Sequence, residues 1–224
     1  VLAQRAGELR PQCSEDAEGV FASAVSYGEL ADTASAAVTA LDELYGVQLF
    51  GLAGRTRPKA MHFSEVMSYI QLTGVIFPYI SEANINVHQP AYGISSTMCH
   101  ELSHICGFMR EDEANFISYL ACYHSGSTEL RYSGAMLGLI HATNRLTRYD
   151  ADAWREVGAL LPEGALRDLA ANSRYWARYD TPVGETADRW NDAYLKANAQ
   201  TDGVQSYGRM VDLLIAFYRA QGLI

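Results

Sequence analysis

The segment Thr97-Met-Cys-His-Glu-Leu-Ser-His-Ile-Cys-Gly107 constrains this chain more than any other. It carries His-Glu-x-x-His in a helical context and stops at a glycine suited to the position after a helix. At about 100° per residue, His104 lies roughly 40° round the helix axis from His100 and one turn along it, so two imidazoles converge on one ion. That ion is expected to be Zn2+, which takes histidine nitrogen readily. Glu101 flanks the pair as a general base, taking a proton from water acidified by the metal and passing it to the leaving amine. Met98, Leu102, Ile105, Cys99 and Cys106 fall on the far side, giving the helix an apolar back and a chemical front. The motif also arises by chance in roughly one chain of this length per hundred. Its helical setting and the carboxylates that follow therefore carry the weight.

Zinc held by two histidines for catalysis needs a third protein ligand and an open position. Arg110 to Cys122 reads as a second helix, whose first turn offers Glu111, Asp112 and Glu113. Glu111 and Glu113 point about 160° apart. Glu113 shares its side with Phe116, Ile117 and Leu120, whereas Glu111 shares its side with Asn115, Ser118 and Cys122, small groups that permit close approach. Glu111 is preferred, with Glu113 as the alternative, and Asn115 is placed to orient a ligand. Acids also collect in any helix's first turn because of the macrodipole, with no metal required.

The rest of the chain is 224 residues of ordinary globular composition, 49% hydrophobic and 19% charged. The expected class is α+β and mostly helical, with a small sheet upstream of the metal helix and a C-terminal helical bundle. Residues 1–57 read as N-terminal helices, clearest from Tyr27 to Tyr45 before Gly46, 58–126 as sheet plus metal-site helices, and 127–224 as the bundle, all in one domain. Strands are expected at Ala60 to Phe63, Gly74 to Ile80 and Ala83 to His88, the last alternating and suited to a sheet edge. Helices are expected at about 93–106, 110–124, 128–148, 151–160, 163–179, 184–198 and 204–221. A net charge of −9 with only 17 basic residues argues against nucleic acid. No run approaches the roughly 20 apolar residues of a membrane span. The four cysteines lack the spacing of a zinc ribbon or a disulfide scaffold. Tyr207 and Arg209, after a turn-like Thr201-Asp-Gly203, are candidates to stabilise an oxyanion. His88, His124 and His141 are alternative ligands or proton donors, but none sits at a recognisable spacing from another histidine, and the structural reading is preferred for each.

With these residues in view, the chain resembles the gluzincin metallopeptidases, in which a helical His-Glu-x-x-His is completed by a Glu from Glu-x-x-x-Asp on a following helix. Here that run is Glu111 to Asn115, with Asn in place of Asp. More closely, it resembles a bacterial family of unknown function numbered 3810, through FPYISEANINVHQP, HELSHICGFMREDEANFISYLAC and NDAYLKANAQTDGVQSYGRMVDLL. The resemblance implies a zincin-like core in a single domain over 1–224, and a zinc peptidase acting on a peptide or protein substrate. It also implies membrane helices N-terminal to Val1, so that a soluble domain is anchored in a bacterial membrane. The gluzincin edge strand finds its counterpart in Ala83 to His88, where Asn84 and Asn86 would meet substrate backbone. The competing expectation is a non-catalytic module in which zinc staples two helices or serves regulation or peptide binding.

Overall fold

A computed structural model describes residues 1–147, 150–180 and 207–224. The chain opens with α1 (Leu2–Leu9), a turn of 3-10 helix at Arg10–Gln12, α2 (Tyr27–Thr39) and α3 (Leu41–Tyr45). The start of α2 is fixed by a reciprocal cap: Ser26 Oγ accepts from Glu29 N while the Glu29 carboxylate accepts from Ser26 N. Next come β1 (Lys59–Ala60), α4 (Ser64–Tyr69), β2 (Gly74–Phe77) and β3 (Glu82–Ile85). Helices follow: α5 (Ala91–Ile105), α6 (Glu111–His124), α7 (Thr128–Leu146), α8 (Ala151–Gly158), α9 (Glu163–Ala177) and α10 (Tyr207–Ala220). The class is α+β and mostly helical. The helix expected at 184–198 lies outside the described residues. No helix among the described residues is long and apolar enough to cross a membrane.

The sheet departs from expectation in two ways. Its order is β1-β3-β2, with β1 parallel and β2 antiparallel to β3, so the strand within Ala83 to His88 is central and not an edge. Its neighbours are Lys59 and Val75 opposite Asn84, and Ala60 and Gly74 opposite Ile85. Beyond Ala60 the chain turns into α4, because Ser64 and Ser68 are small and polar enough to tuck against the end of β3. Ser64 Oγ accepts from Val87 N, and Asn86 Nδ2 donates to Ser68 Oγ. The strand expected at Ala60 to Phe63 is instead the short β1, which stops at Ala60, and Phe63 is exposed at the cap of α4.

The main core joins α2, β3, α5, α6, α7 and α10 through Leu30, Val38, Ile85, Met98, Leu102, Leu120, Leu130 and Leu214. Burying such side chains contributes about 1.5–3 kcal/mol each. Met98, Cys99 and Leu102 are its contribution from α5, the face opposite the histidines. Two helices can approach α5 closely because their contacts are small. Ser118 Oγ of α6 donates to Ser96 O at 2.7 Å, and Ser96 N donates to Ser133 Oγ of α7 at 2.9 Å. The free thiols of Cys99 and Cys122 lie 3.9 Å apart within this seam.

A second core, with Leu9, Phe21, Tyr92, Tyr132, Met136 and Leu161, lies under the N-terminal segment. At its margin Asp168 of α9 is fully buried and accepts four hydrogen bonds. They come from Arg10 Nε at 2.7 Å, Arg10 Nη2 at 3.4 Å, Phe21 N at 2.7 Å and Tyr132 hydroxyl at 2.5 Å. One carboxylate thus ties the segment after α1 to both α7 and α9.

Candidate metal centre

The local sequence builds half of the site before any packing is considered. α5 is stopped two residues past Ile105 by Gly107, whose φ of 97° is a left-handed conformation that glycine adopts without a Cβ penalty. The turn is a Schellman cap: Phe108 N donates to Ser103 O and Gly107 N donates to His104 O. This reversal carries the Phe108 carbonyl back to His104, where Nδ1–H donates to it at 2.7 Å. Phe108 is in turn held by stacking on Phe50, centroids 5.4 Å apart. The consequence is chemical. With its proton fixed on Nδ1, His104 presents the lone pair of Nε2.

That lone pair points at a small triangle. His104 Nε2 lies 2.9 Å from His100 Nε2, and the Glu111 carboxylate spans the pair, Oε1 at 3.4 Å from His104 Nε2 and Oε2 at 3.3 Å from His100 Nε2. These are the side chains among the described residues whose donor atoms cluster closely enough for one ion. For bonds of about 2.0–2.1 Å at tetrahedral angles, ligand atoms stand about 3.3 Å apart. The separations are of that size, and the donor set of two imidazoles and a carboxylate matches zinc chemistry. Of the two sequence candidates it is Glu111 that α6 turns toward the histidines, while Glu113 pairs with Arg110 at 3.2 Å. Asp112 is buried and likewise bound to Arg110, at 2.7 Å.

Without an ion the cluster is an internal salt bridge. Burial alone would lower the His100 pKa, but Glu111, Glu101 and the Asn115 side chain outweigh it and push it up to about 9. Burial would raise Glu111, but the two imidazoles hold it well below the usual carboxylate range. Asn115 thus stands beside His100 as expected, although His100 Nδ1 is buried with no well-formed hydrogen bond. Glu101 is also buried; burial raises its pKa, the two histidines counteract this and Glu111 adds to it, leaving it above the ordinary range. Its side chain lies against β2. A Cβ placed on Gly74 would fall 2.5 to 2.7 Å from Glu101 Oε1, Cγ and Cδ, so only glycine leaves the carboxylate its place.

Other sequence candidates lie elsewhere. Gly74 and Ile85 are paired and share the sheet face toward α5, so Asn84 and Asn86 occupy the opposite face. Asn86 is fully buried, donating to Ser68 Oγ and Leu72 O and accepting from His88 N. It is committed to the fold. Arg209 is exposed at the beginning of α10, and the Tyr207 side chain lies outside what is described. His88 contacts the hydroxyls of Tyr175 and Tyr179 at 3.0 and 3.4 Å, on the α9 side of the sheet. His141, read from sequence as structural, stands close enough to the site to feel the charges of His100 and Glu111. Burial first, and His100 second, push its pKa down to about 4, leaving the ring neutral at pH 7. No sequence spacing pointed to it, because it comes from a third helix.

A family model described as "Protein of unknown function (DUF3810)" matches residues 1–215, reaching from α1 into α10. No curated protein and no solved structure matches the chain.

Proposed function

The chain belongs to the DUF3810 family, and from the chemistry of its own site we propose that it is a zinc-dependent hydrolase of peptide bonds, gluzincin-like in its arrangement. The observation that carries this reading is the cluster of His100 Nε2, His104 Nε2 and the Glu111 carboxylate, the nitrogens 2.9 Å apart and each within 3.3 to 3.4 Å of one carboxylate oxygen, beside a buried glutamate. A zinc ion held there would supply a Lewis acid that acidifies water and polarises a carbonyl. Glu101 accepts the proton of the attacking water and returns it to the leaving nitrogen. Its burial strengthens that role by excluding competing solvent. A purely structural zinc site has no use for such a base and closes its fourth position with protein.

The substrate that suits this surface is an extended peptide. β2 is an edge strand of the sheet, bearing on its outer side no partner among the described residues, and its first residue, Gly74, touches Glu101. A peptide added along β2 would gain main-chain hydrogen bonds and bring a carbonyl toward the histidines. The strand taken from sequence for this role, Ala83 to His88, is one position further in. Substituting Gly74→Ala displaces the Glu101 carboxylate and is expected to lower kcat at least tenfold while zinc content stays unchanged, since misplacing a reacting group by about 1 Å costs this much or more. Unaltered turnover by that variant would remove Glu101 from the position assigned to it.

Metal binding is tested directly by titration and elemental analysis. One zinc per chain is expected for the wild type, with His104→Ala and Glu111→Ala each losing it; retention of stoichiometric zinc by both would overturn the ligand set. The charge state of the metal-free protein adds a signature. Below a pKa of about 9 His100 is protonated, so at pH 7 its Nε2 must lose a proton to ligate. Zinc binding should release close to one proton at pH 7, and apparent affinity should fall about tenfold per unit as pH drops from about 9 to 7. Calorimetry in buffers of different protonation enthalpy reads this release; identical heats in all of them would contradict it.

A further inference from the structure

We propose that His141 is a positioning residue for the zinc site, accepting a hydrogen bond from the Asn115 amide and thereby turning the amide oxygen toward His100; this rests on the zinc reading above. The placement follows from helix packing. α6 and α7 run antiparallel: a Cβ on Gly134 would meet Cys122, and one on Gly138 would meet Tyr119. Continuing that ladder at helical spacing, three residues on from Gly138 and four back from Tyr119, sets His141 against Asn115. α5 and α6 also run antiparallel, since Glu111 meets His104 while Ser118 meets Ser96, so α7 runs parallel to α5; the contact between Ser96 and Ser133 sets their register, and the same number of residues further along each helix brings His141 to the level of His104. Its mutual electrostatic influence with His100 and Glu111 agrees with that position.

The need for such a group arises from the asparagine. A metal-binding histidine offers one nitrogen to the ion only when the other carries its proton, normally by donating to an oxygen. A carboxylate at position 115 has only acceptors, whereas an amide presents either its oxygen or its NH2. With NH2 turned inward, His100 Nδ1 could not donate, and the tautomer with Nε2 free would lose its support. A neutral imidazole behind the amide breaks the tie, because its lone pair takes an N–H of the NH2 group and leaves the oxygen facing His100. His100 Nδ1, buried and without a well-formed partner, is the atom this arrangement serves.

The experiment is a double-mutant cycle on zinc affinity, measured by chelator competition on the whole chain, with thermal unfolding of each metal-free variant as a fold control. His141→Phe is expected to weaken zinc binding roughly 10- to 100-fold, the usual effect of losing a ligand's supporting partner. In an Asn115→Asp background the same substitution should change affinity less than threefold, since a carboxylate needs no orienting. His141→Gln, whose carbonyl can take the same amide proton, should recover most of the loss. The proposal is overturned if His141→Phe leaves affinity unchanged, or if the loss is equal in both backgrounds, the result expected of packing alone. A wild-type chain that binds no zinc would instead bring down the metal reading, and this inference with it.

Discussion

Replacing Glu101 by Gln is expected to lower peptide hydrolysis by about 10²- to 10⁴-fold, the range associated with loss of a positioned general base, while leaving one zinc bound per chain. The separation of the two effects is the informative part. Glu101 is not in the ligand triangle, which comprises His100, His104 and Glu111. Gln has the volume of Glu and can sit against Gly74 without the crowding a Cβ there would cause. It keeps the shape and removes only the ability to accept a proton. A panel of unstructured peptides incubated with zinc-loaded wild type and variant, with fragments identified by mass spectrometry, measures the ratio. Equal cleavage by both proteins would eliminate Glu101 as base, whereas zinc binding without cleavage by either would favour the structural or regulatory zinc module.

The second large effect concerns the fold. Asp168→Ala should lower unfolding free energy by about 3–5 kcal/mol, the penalty for removing one member of a buried ion pair. The reason is what it leaves behind. Arg10 would remain 3% exposed with its principal counter-charge gone, and Phe21 N and the Tyr132 hydroxyl would lose their acceptor. Asp168→Asn, which keeps the shape and one acceptor oxygen, should fall between wild type and Ala. Urea denaturation of the metal-free proteins checks this order. A midpoint for Asp168→Ala within error of wild type would show that water or a shift of Arg10 replaces the carboxylate, and that the N-terminal segment is not held by it.

Neither Asp168 nor its partners stood out in the sequence. Arg10, Tyr132 and Asp168 are separated by up to 158 residues, and no spacing announces that they meet. His141 read as structural for the same reason: its relation to His100 and Glu111 passes through the packing of α7, with no periodic signal of its own. The sheet was misread where two strands competed for one role. Alternation in Ala83 to His88 correctly separated two faces, yet alternation is blind to whether a strand has one neighbour or two. Asn84 and Asn86 consequently looked available to a substrate, whereas both are buried and Asn86 is bonded to Ser68 of α4 and to Leu72.

What the amino-acid order determined alone is the set of relations within one helical turn or one cap: His100, Glu101 and His104 disposed about one end of α5, Met98 and Leu102 on its back, and Gly107 to stop it. An α-helix converts sequence separation into angle and rise with little freedom, so these follow from the string of residues. The choice of Glu111 over Glu113, the edge position of β2, and the approach of His141 were decided only by tertiary packing. Rotation of one helix against another is set by many side-chain contacts acting together, here small groups such as Ser96, Ser118, Ser133 and Gly134, and no local rule encodes their sum.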